Sequence, residues 1–356
     1  MNHGKGWLSL KTRKKKIESP ESLLDKSRPV FIKTYLFESG LFYLGKSLGD
    51  HLTSLGFDVF YIPKERYALD GLIYKKTYPK PKFDLGIPED KILMLNEDAE
   101  LRTTTLHKVI KYNPGAIISF ETFTGKHDWI NHVRRNGLKI IDVPMIEWVD
   151  KQSFNGKSYK VFDQIWGLNH LCFDTFQKTY IDVKEKIKNV RWNFADKDIV
   201  NSEKKSTFIH FGSLNEGLDV KNTKEVLKAF KKVSDLRPDI SFVYVGKQIP
   251  EQKGINNLTA YNTPLVREEV IKLCSESACV VAPSQREGLG LSIIEGLAAG
   301  AKVITTDSAP MNEYSGLILC KPEGKKSDFS LIPLSLVNNF EIFNAMLKYL
   351  SDFHGK

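Results

Sequence analysis

The 34 residues from Val280 to Glu313, VVAPSQREGLGLSIIEGLAAGAKVITTDSAPMNE, leave little choice of local fold. Val280-Val281-Ala282 is a short apolar run that Pro283-Ser284 ends. Gly288-Leu289-Gly290 lets the backbone turn closely before a second apolar run, Leu291 to Leu297, and Gly300 stops that run. The stretch therefore reads as buried strand, glycine-rich turn, helix and second buried strand. Such a helix start offers unpaired N–H groups and the positive end of a dipole, which together favour an anion. Glu287 before the turn and Glu295 within the helix bracket it, and carboxylates facing a bound anion need hydroxyl donors to hold. A sugar nucleotide supplies both, with its diphosphate and its ribose and hexose hydroxyls. Two glutamates alone mean little among 43 acidic residues, so the specificity lies in their context.

In that context the stretch resembles the donor-binding motif of family-four retaining glycosyltransferases of the GT-B fold. Their pattern is a strand, Pro-Ser, x-x-Glu-Gly-x-Gly, an apolar helix with a second Glu eight residues after the first, then Ala-x-Gly-x-x-Val-Ile. The resemblance implies an α/β fold of two Rossmann-like domains whose parallel sheets face a central cleft. It implies that Glu287 contacts the transferred sugar, that backbone N–H groups of Gly288, Leu289, Gly290 and Leu291 hold the diphosphate, and that Glu295 holds the ribose.

Length agrees, because 356 residues exceed what one hydrophobic core usually supports. Nothing approaches the roughly 20 apolar residues of a bilayer span, and the basic cluster Lys11 to Lys16 has no apolar stretch after it. A cytoplasmic protein is expected, in the host cytoplasm if the source is viral, with peripheral membrane contact as a variant. The four cysteines, Cys172, Cys274, Cys279 and Cys320, form no CxxC pair and read as buried thiols.

Along the chain, residues 1–27 read as a basic mobile arm. Residues 28–195 alternate apolar strands with helical segments, which predicts a parallel sheet covered on both faces. The strands are placed at Val30–Ile32, Val59–Ile62, Ala116–Phe120, Lys139–Val143 and Gln164–Leu168, and no GxGxxG follows the first. Ligands of such sheets bind beyond the strand carboxyl ends, which nominates Glu121 to Trp129, Pro144 to Asp150 and Asn169-His170. Residues 196–206 read as a linker, and its Asp196-Lys197-Asp198 as a solvated turn. Residues 207–335 form the second domain, with strands at Thr207–Phe211 and Phe242–Val245. Residues 336–356 hold a helix that the resemblance returns toward the first domain.

Strand, Gly212, loop, Lys221-Asn222-Thr223 and helix also resembles the family, in which a lysine here grips the donor diphosphate. Gly40 corresponds to the small residue after the first strand that approaches the donor. Many relatives carry an Arg five residues before the lysine, where this chain has Glu216. Arg286 and Arg267 are the candidates for the second cation. The resemblance further implies transfer of a hexose from a nucleoside-diphosphate sugar, UDP-glucose by default, with retention and with neither metal nor cofactor. His127 and Asp128 are the candidates for orienting the acceptor, with Glu121 and Glu147 as further options.

Residues 1–200 hold 33 Lys or Arg against 25 Asp or Glu, and residues 201–356 hold 19 against 18. The basic excess sits in the half expected to receive the acceptor, which favours an acidic one. Tyr74, Lys75, Lys76 and Tyr78 interleave cations with aromatics as a phosphate-tracking, base-stacking loop does, and Arg134 and Arg135 add phosphate contacts. A hydroxymethylated base in viral DNA is placed ahead of a glycan on an anionic membrane. No obligate protein partner is evident. A sugar-nucleotide epimerase of similar fold, and a nucleic-acid binder without catalysis, are the readings from other classes.

Overall fold

The computed structural model describes residues 16–34, 40–63, 86–93, 108–121, 128–149, 158–194, 202–212, 219–262 and 265–354. They form two compact units. One comprises Lys16–Met145 and Gln152–Phe194, and the other Ala195–Lys356 together with Ile146–Lys151.

The first unit is built on β1 (Val30–Thr34), α1 (Gly40–Ser54), β2 (Val59–Pro63), β3 (Ala116–Phe120), α2 (Asp128–Arg135), β4 (Ile140–Val143), β5 (Gln164–Gly167), α3 (His170–Thr179) and β6 (Ile187–Asn189). Its sheet is parallel throughout, in the order β2-β1-β3-β4-β5-β6. β3 and β4 are buried along their whole length, as near-continuous apolar runs in a doubly covered sheet should be. Five strands stand where periodicity puts them. β6 escaped because IKN is three residues long and carries a charge.

The described part of the expected arm, residues 16–27, makes defined contacts with the first unit. Glu18 bridges Val190, its N–H donates to the Asn189 carbonyl at 2.8 Å, and Pro20 is buried. Glu18 thus extends the β6 edge, which offers backbone partners that polar composition does not reveal, while Glu21 meets His51 of α1 and the Leu23 carbonyl accepts from Lys139.

The second unit adds β7 (Lys205–Phe211), α4 (Thr223–Leu236), β8 (Ser241–Val245), β9 (Leu258–Tyr261), α5 (Arg267–Glu276), β10 (Ser277–Ala282), α6 (Leu291–Ala298), β11 (Lys302–Thr306), β12 (Leu317–Cys320), the hairpin β13 (Gly324–Lys326) and β14 (Leu334–Leu336), and α7 (Asn339–His354). Its parallel sheet runs β12-β11-β10-β7-β8-β9. The order reverses between β7 and β10, which is where doubly wound sheets open a crevice for ligands. The strand after the expected linker starts at Lys205, two residues early.

The terminal helix packs within its own unit: Ile342, Met346, Tyr349 and Leu350 of α7 join Phe208, Phe230 and Phe242 in one buried cluster, and Tyr349 meets Phe208 edge-on at 5.5 Å. Its apolar face is therefore satisfied by α4 and the sheet. Among the described residues no helix is long and apolar enough to cross a membrane.

Candidate active site

The site assembles at the carboxyl ends of β7 and β10. β10 is buried along its length and delivers Pro283 and Ser284 to the rim. The chain then turns through Gly290, whose φ of +80° is a left-handed conformation that favours glycine, and enters α6. Tyr314 pins the turn by donating its hydroxyl to the Leu289 carbonyl at 2.8 Å. Gly296 lets α6 lie directly on the sheet, since a Cβ there would stand 2.8 Å from Val280 Cγ2.

Glu287 is buried, and its Oε1 accepts from Lys221 Nζ at 2.5 Å and from Ser284 Oγ at 2.6 Å. A buried carboxylate held by a cation and a hydroxyl is fixed in orientation. Glu295, also buried, pairs with Arg267 Nη2 at 2.6 Å. Arg267 therefore reaches the motif from the first residue of α5.

Lys221 owes its position to the entry of α4. Asp219 caps that helix by accepting from the N–H groups of Thr223 at 2.8 Å and Lys224 at 2.9 Å. Asn222 sits at φ +60° and donates from Nδ2 to the Val337 carbonyl at 2.7 Å, while Gln285 Nε2 donates to its Oδ1. Behind the turn lies His210, fully buried beside the Val281 carbonyl at 2.7 Å and Thr223 Oγ1 at 3.2 Å. Burial pushes its imidazole down to about 4. With Nδ1 facing a carbonyl, Nδ1 donates and the neutral Nε2 accepts from Thr223. Gly212 ends β7 where a Cβ would crowd Tyr244 and Thr223.

Arg286 turns elsewhere. Its Nη1 reaches both Asp328 oxygens, at 2.7 and 2.9 Å, and the Ile332 carbonyl at 3.2 Å. Its guanidinium thus ties the β13–β14 segment down through Nη1.

Glu147 joins the second unit, where a Cβ at position 288 would collide with its carboxylate. Glu121 ends β3 in the first unit at φ +52°. Arg134 and Arg135 end α2, which runs back to the amino end of β4, so they stand at the opposite end of that sheet from Glu121. Arg134 Nε lies 3.9 Å from Asp163. Gly40 opens α1. His127, Tyr74, Lys75, Lys76, Tyr78 and Glu216 lie outside the described residues, as does the side chain of Asp128. Among the described residues no His, Cys, Asp and Glu cluster has metal-site geometry. The family resemblance singled out Glu287, Glu295 and Lys221. It gave no signal for Asp219 or His210, which act on the turn through long-range packing.

Residues 194–316 match the family model described as Glycosyl transferases group 1, so the motif resemblance is borne out at the level of a domain. Solved structures extend the likeness to the whole chain. S. aureus MnaA, in a co-structure with UDP, superposes with a TM-score of 0.55 at 15% identity, over 92% of this chain and 89% of that one. An alpha,alpha-trehalose-phosphate synthase (UDP-forming) from Burkholderia vietnamiensis gives 0.56 at 11%, over 92% and 91%. An E. coli trehalose-6-phosphate structure bound with UDP-2-fluoro glucose gives 0.53 at 12%, over 91% of each chain. No curated protein matches the sequence. At these identities the likeness establishes the fold, which is GT-B with two Rossmann-like units.

Proposed function

We propose that this chain transfers a hexose from a UDP-sugar to an acceptor hydroxyl with retention of configuration and without a metal. The observation that carries the reading is Glu287, held by Lys221 and Ser284 at the mouth of the Gly288–Gly290 turn. A carboxylate there accepts from hexose hydroxyls, and the ammonium beside it balances the charge that gathers on the departing diphosphate. The first N–H groups of α6 face the same charge, and a preorganised donor of this kind is worth about 2.7 to 4 kcal/mol in the transition state. Glu295 and Arg267 at the next turn suit the ribose. The acceptor oxygen attacks the anomeric carbon on the face the diphosphate leaves, and a phosphate oxygen takes its proton. The protein positions the partners and stabilises the charge.

The match over residues 194–316 supports the transferase class. Fold neighbours solved with UDP or UDP-2-fluoro glucose support the choice of base. For the acceptor, the excess charge of residues 1–200 favours a hydroxymethylated base in duplex DNA, and a glycan on an anionic membrane is the alternative.

The test is release of nucleoside diphosphate from UDP, GDP and ADP sugars, with hydroxymethylated duplex DNA, unmodified DNA, neutral saccharides or anionic vesicles added. Release from UDP-glucose stimulated by one acceptor class carries the reading. Isomerised UDP-sugar without release would make the protein an epimerase instead, and no turnover of any donor would make it a binder.

A further inference from the structure

Tyr314 lies 25 residues beyond Leu289 in sequence, is buried, and donates its hydroxyl to the Leu289 carbonyl at 2.8 Å. The loop that presents it, between β11 and β12, is closed on itself. Asp307 N–H donates to the Cys320 carbonyl at 2.8 Å, Asn312 N–H to the Ser308 carbonyl at 3.2 Å, and Asn312 Nδ2 to Asp307 Oδ1 at 2.8 Å. Thr305 and Thr306 at the end of β11 donate their hydroxyls to the Ala282 and Ser284 carbonyls at 2.8 and 2.7 Å, so the chain entering the turn is braced from the same side. Tyr314 thus follows β11, on one flank of β10, while Lys221 follows β7, on the other.

What the hydroxyl holds is one peptide plane. Glycine takes positive and negative φ about equally, so the Leu289–Gly290 peptide can rotate between two orientations while the buried Leu289 side chain keeps its place. That peptide is trans, and a trans peptide sets its C=O and N–H in opposite directions. With the carbonyl committed to Tyr314, the Gly290 N–H points away from Tyr314. Ile293 and Ile294 N–H both donate to the Gly290 carbonyl, whereas the N–H groups of Gly290, Leu291 and Ser292 have no hydrogen-bond partner among the described residues. A run of unpaired N–H groups at a buried turn is suited to an anion.

We propose that Tyr314 is a positioning residue whose hydroxyl keeps the Gly290 N–H turned toward a bound diphosphate. That the diphosphate belongs to a sugar donor rests on the transferase reading; the dependence of anion affinity on the hydroxyl does not. Without the hydroxyl the Leu289 carbonyl can swing toward the anion, and a donor is replaced by a repelling oxygen although the ring still fills its place.

The full chain, parent and Tyr314→Phe, is titrated by calorimetry with inorganic pyrophosphate and with UDP, and with uridine by saturation-transfer difference NMR. Tyr314→Phe should raise Kd for pyrophosphate and UDP about three- to tenfold, as loss of one hydrogen bond allows, and leave that for uridine, which lacks the diphosphate, within about twofold. Unchanged affinity for pyrophosphate and UDP would overturn the proposal. So would equal weakening of uridine, which would make Tyr314 a general support of the fold, or a parent that binds neither anion. Pyrophosphate binding that depends on Tyr314 in a chain that ignores UDP would sink the donor reading and keep the role of Tyr314. UDP binding indifferent to Tyr314→Phe would do the reverse.

Discussion

Lys221 and Glu287 stand 66 residues apart in sequence and 2.5 Å apart in space, the lysine one-third exposed and the glutamate buried. The pair joins the entry of α4 to the exit of β10, so the two halves of the motif are held by each other. Breaking it tests chemistry and stability separately.

For chemistry, Lys221→Ala or Glu287→Ala should lower kcat for UDP-sugar turnover about 10²- to 10³-fold, the usual cost of one charge-stabilising group. Steady-state release of UDP measures it. Parent-like turnover in both variants would remove these residues from the site.

For stability, Lys221→Met leaves Glu287 buried with the Ser284 hydroxyl still donating to it, and should cost about 1 to 2 kcal/mol, less than a fully buried pair because the lysine is partly solvated. Adding Glu287→Gln should recover most of that loss in urea unfolding while leaving activity low. A double variant as unstable as the sum of the singles would mean the two groups act independently.

Gly296→Ala should destabilise the second unit by about 1 to 3 kcal/mol, because the new methyl meets Val280 Cγ2 at 2.8 Å and Val303 Cγ2 at 3.1 Å from paired strands. Val280→Ala in the same chain should relieve part of the cost. A neutral Gly296→Ala in thermal unfolding would show that α6 can lift from the sheet freely.

His210 gives a pH signature. Its folded value, about 4, lies below the ordinary 6.5, so between these limits the unfolded chain binds more protons. The stability it contributes is whole above pH 6.5 and is lost as pH falls toward 4, by up to about 3 kcal/mol. The drop in urea midpoint from pH 7 to pH 4.5 should be smaller in His210→Phe than in the parent. An equal drop would mean that His210 protonates in place without cost.

Arg286→Ala should loosen the β13–β14 segment at a cost of about 2 kcal/mol, discounted because Asp328 keeps some solvent access. Affinity for UDP-glucose should stay within about threefold, the scatter expected of a group outside the site. Calorimetry separates this from the diphosphate role that its place beside Glu287 suggests.

The motif from β10 to β11 was legible because each of its signals is local: an apolar run, Pro-Ser to end it, glycines at the turn and Gly300 at φ +72° to stop the helix. Partners across the fold were not legible. Periodicity marked the apolar face of α7 but not what covers it, and adjacency to Glu287 gave no sign that Arg286 pairs with Asp328. Arg267 and Glu295 meet only because α5 and α6 lie side by side. Glu147 was placed after β4 by the strand-end rule. Its packing with the second unit depends on Ile146 and Val149, which look like any apolar pair in a loop.

Residues 337–339 carry no reacting group, yet they set the footing of the one cation proposed for the leaving group. The Val337 carbonyl holds Asn222, and Asn339 holds Glu225 through both its backbone N–H and its side chain, at 2.9 and 2.6 Å. A lesion at the start of α7 would therefore surface as a weakened grip on the nucleotide, and an observer reading kinetics alone would look for the fault more than a hundred residues too early.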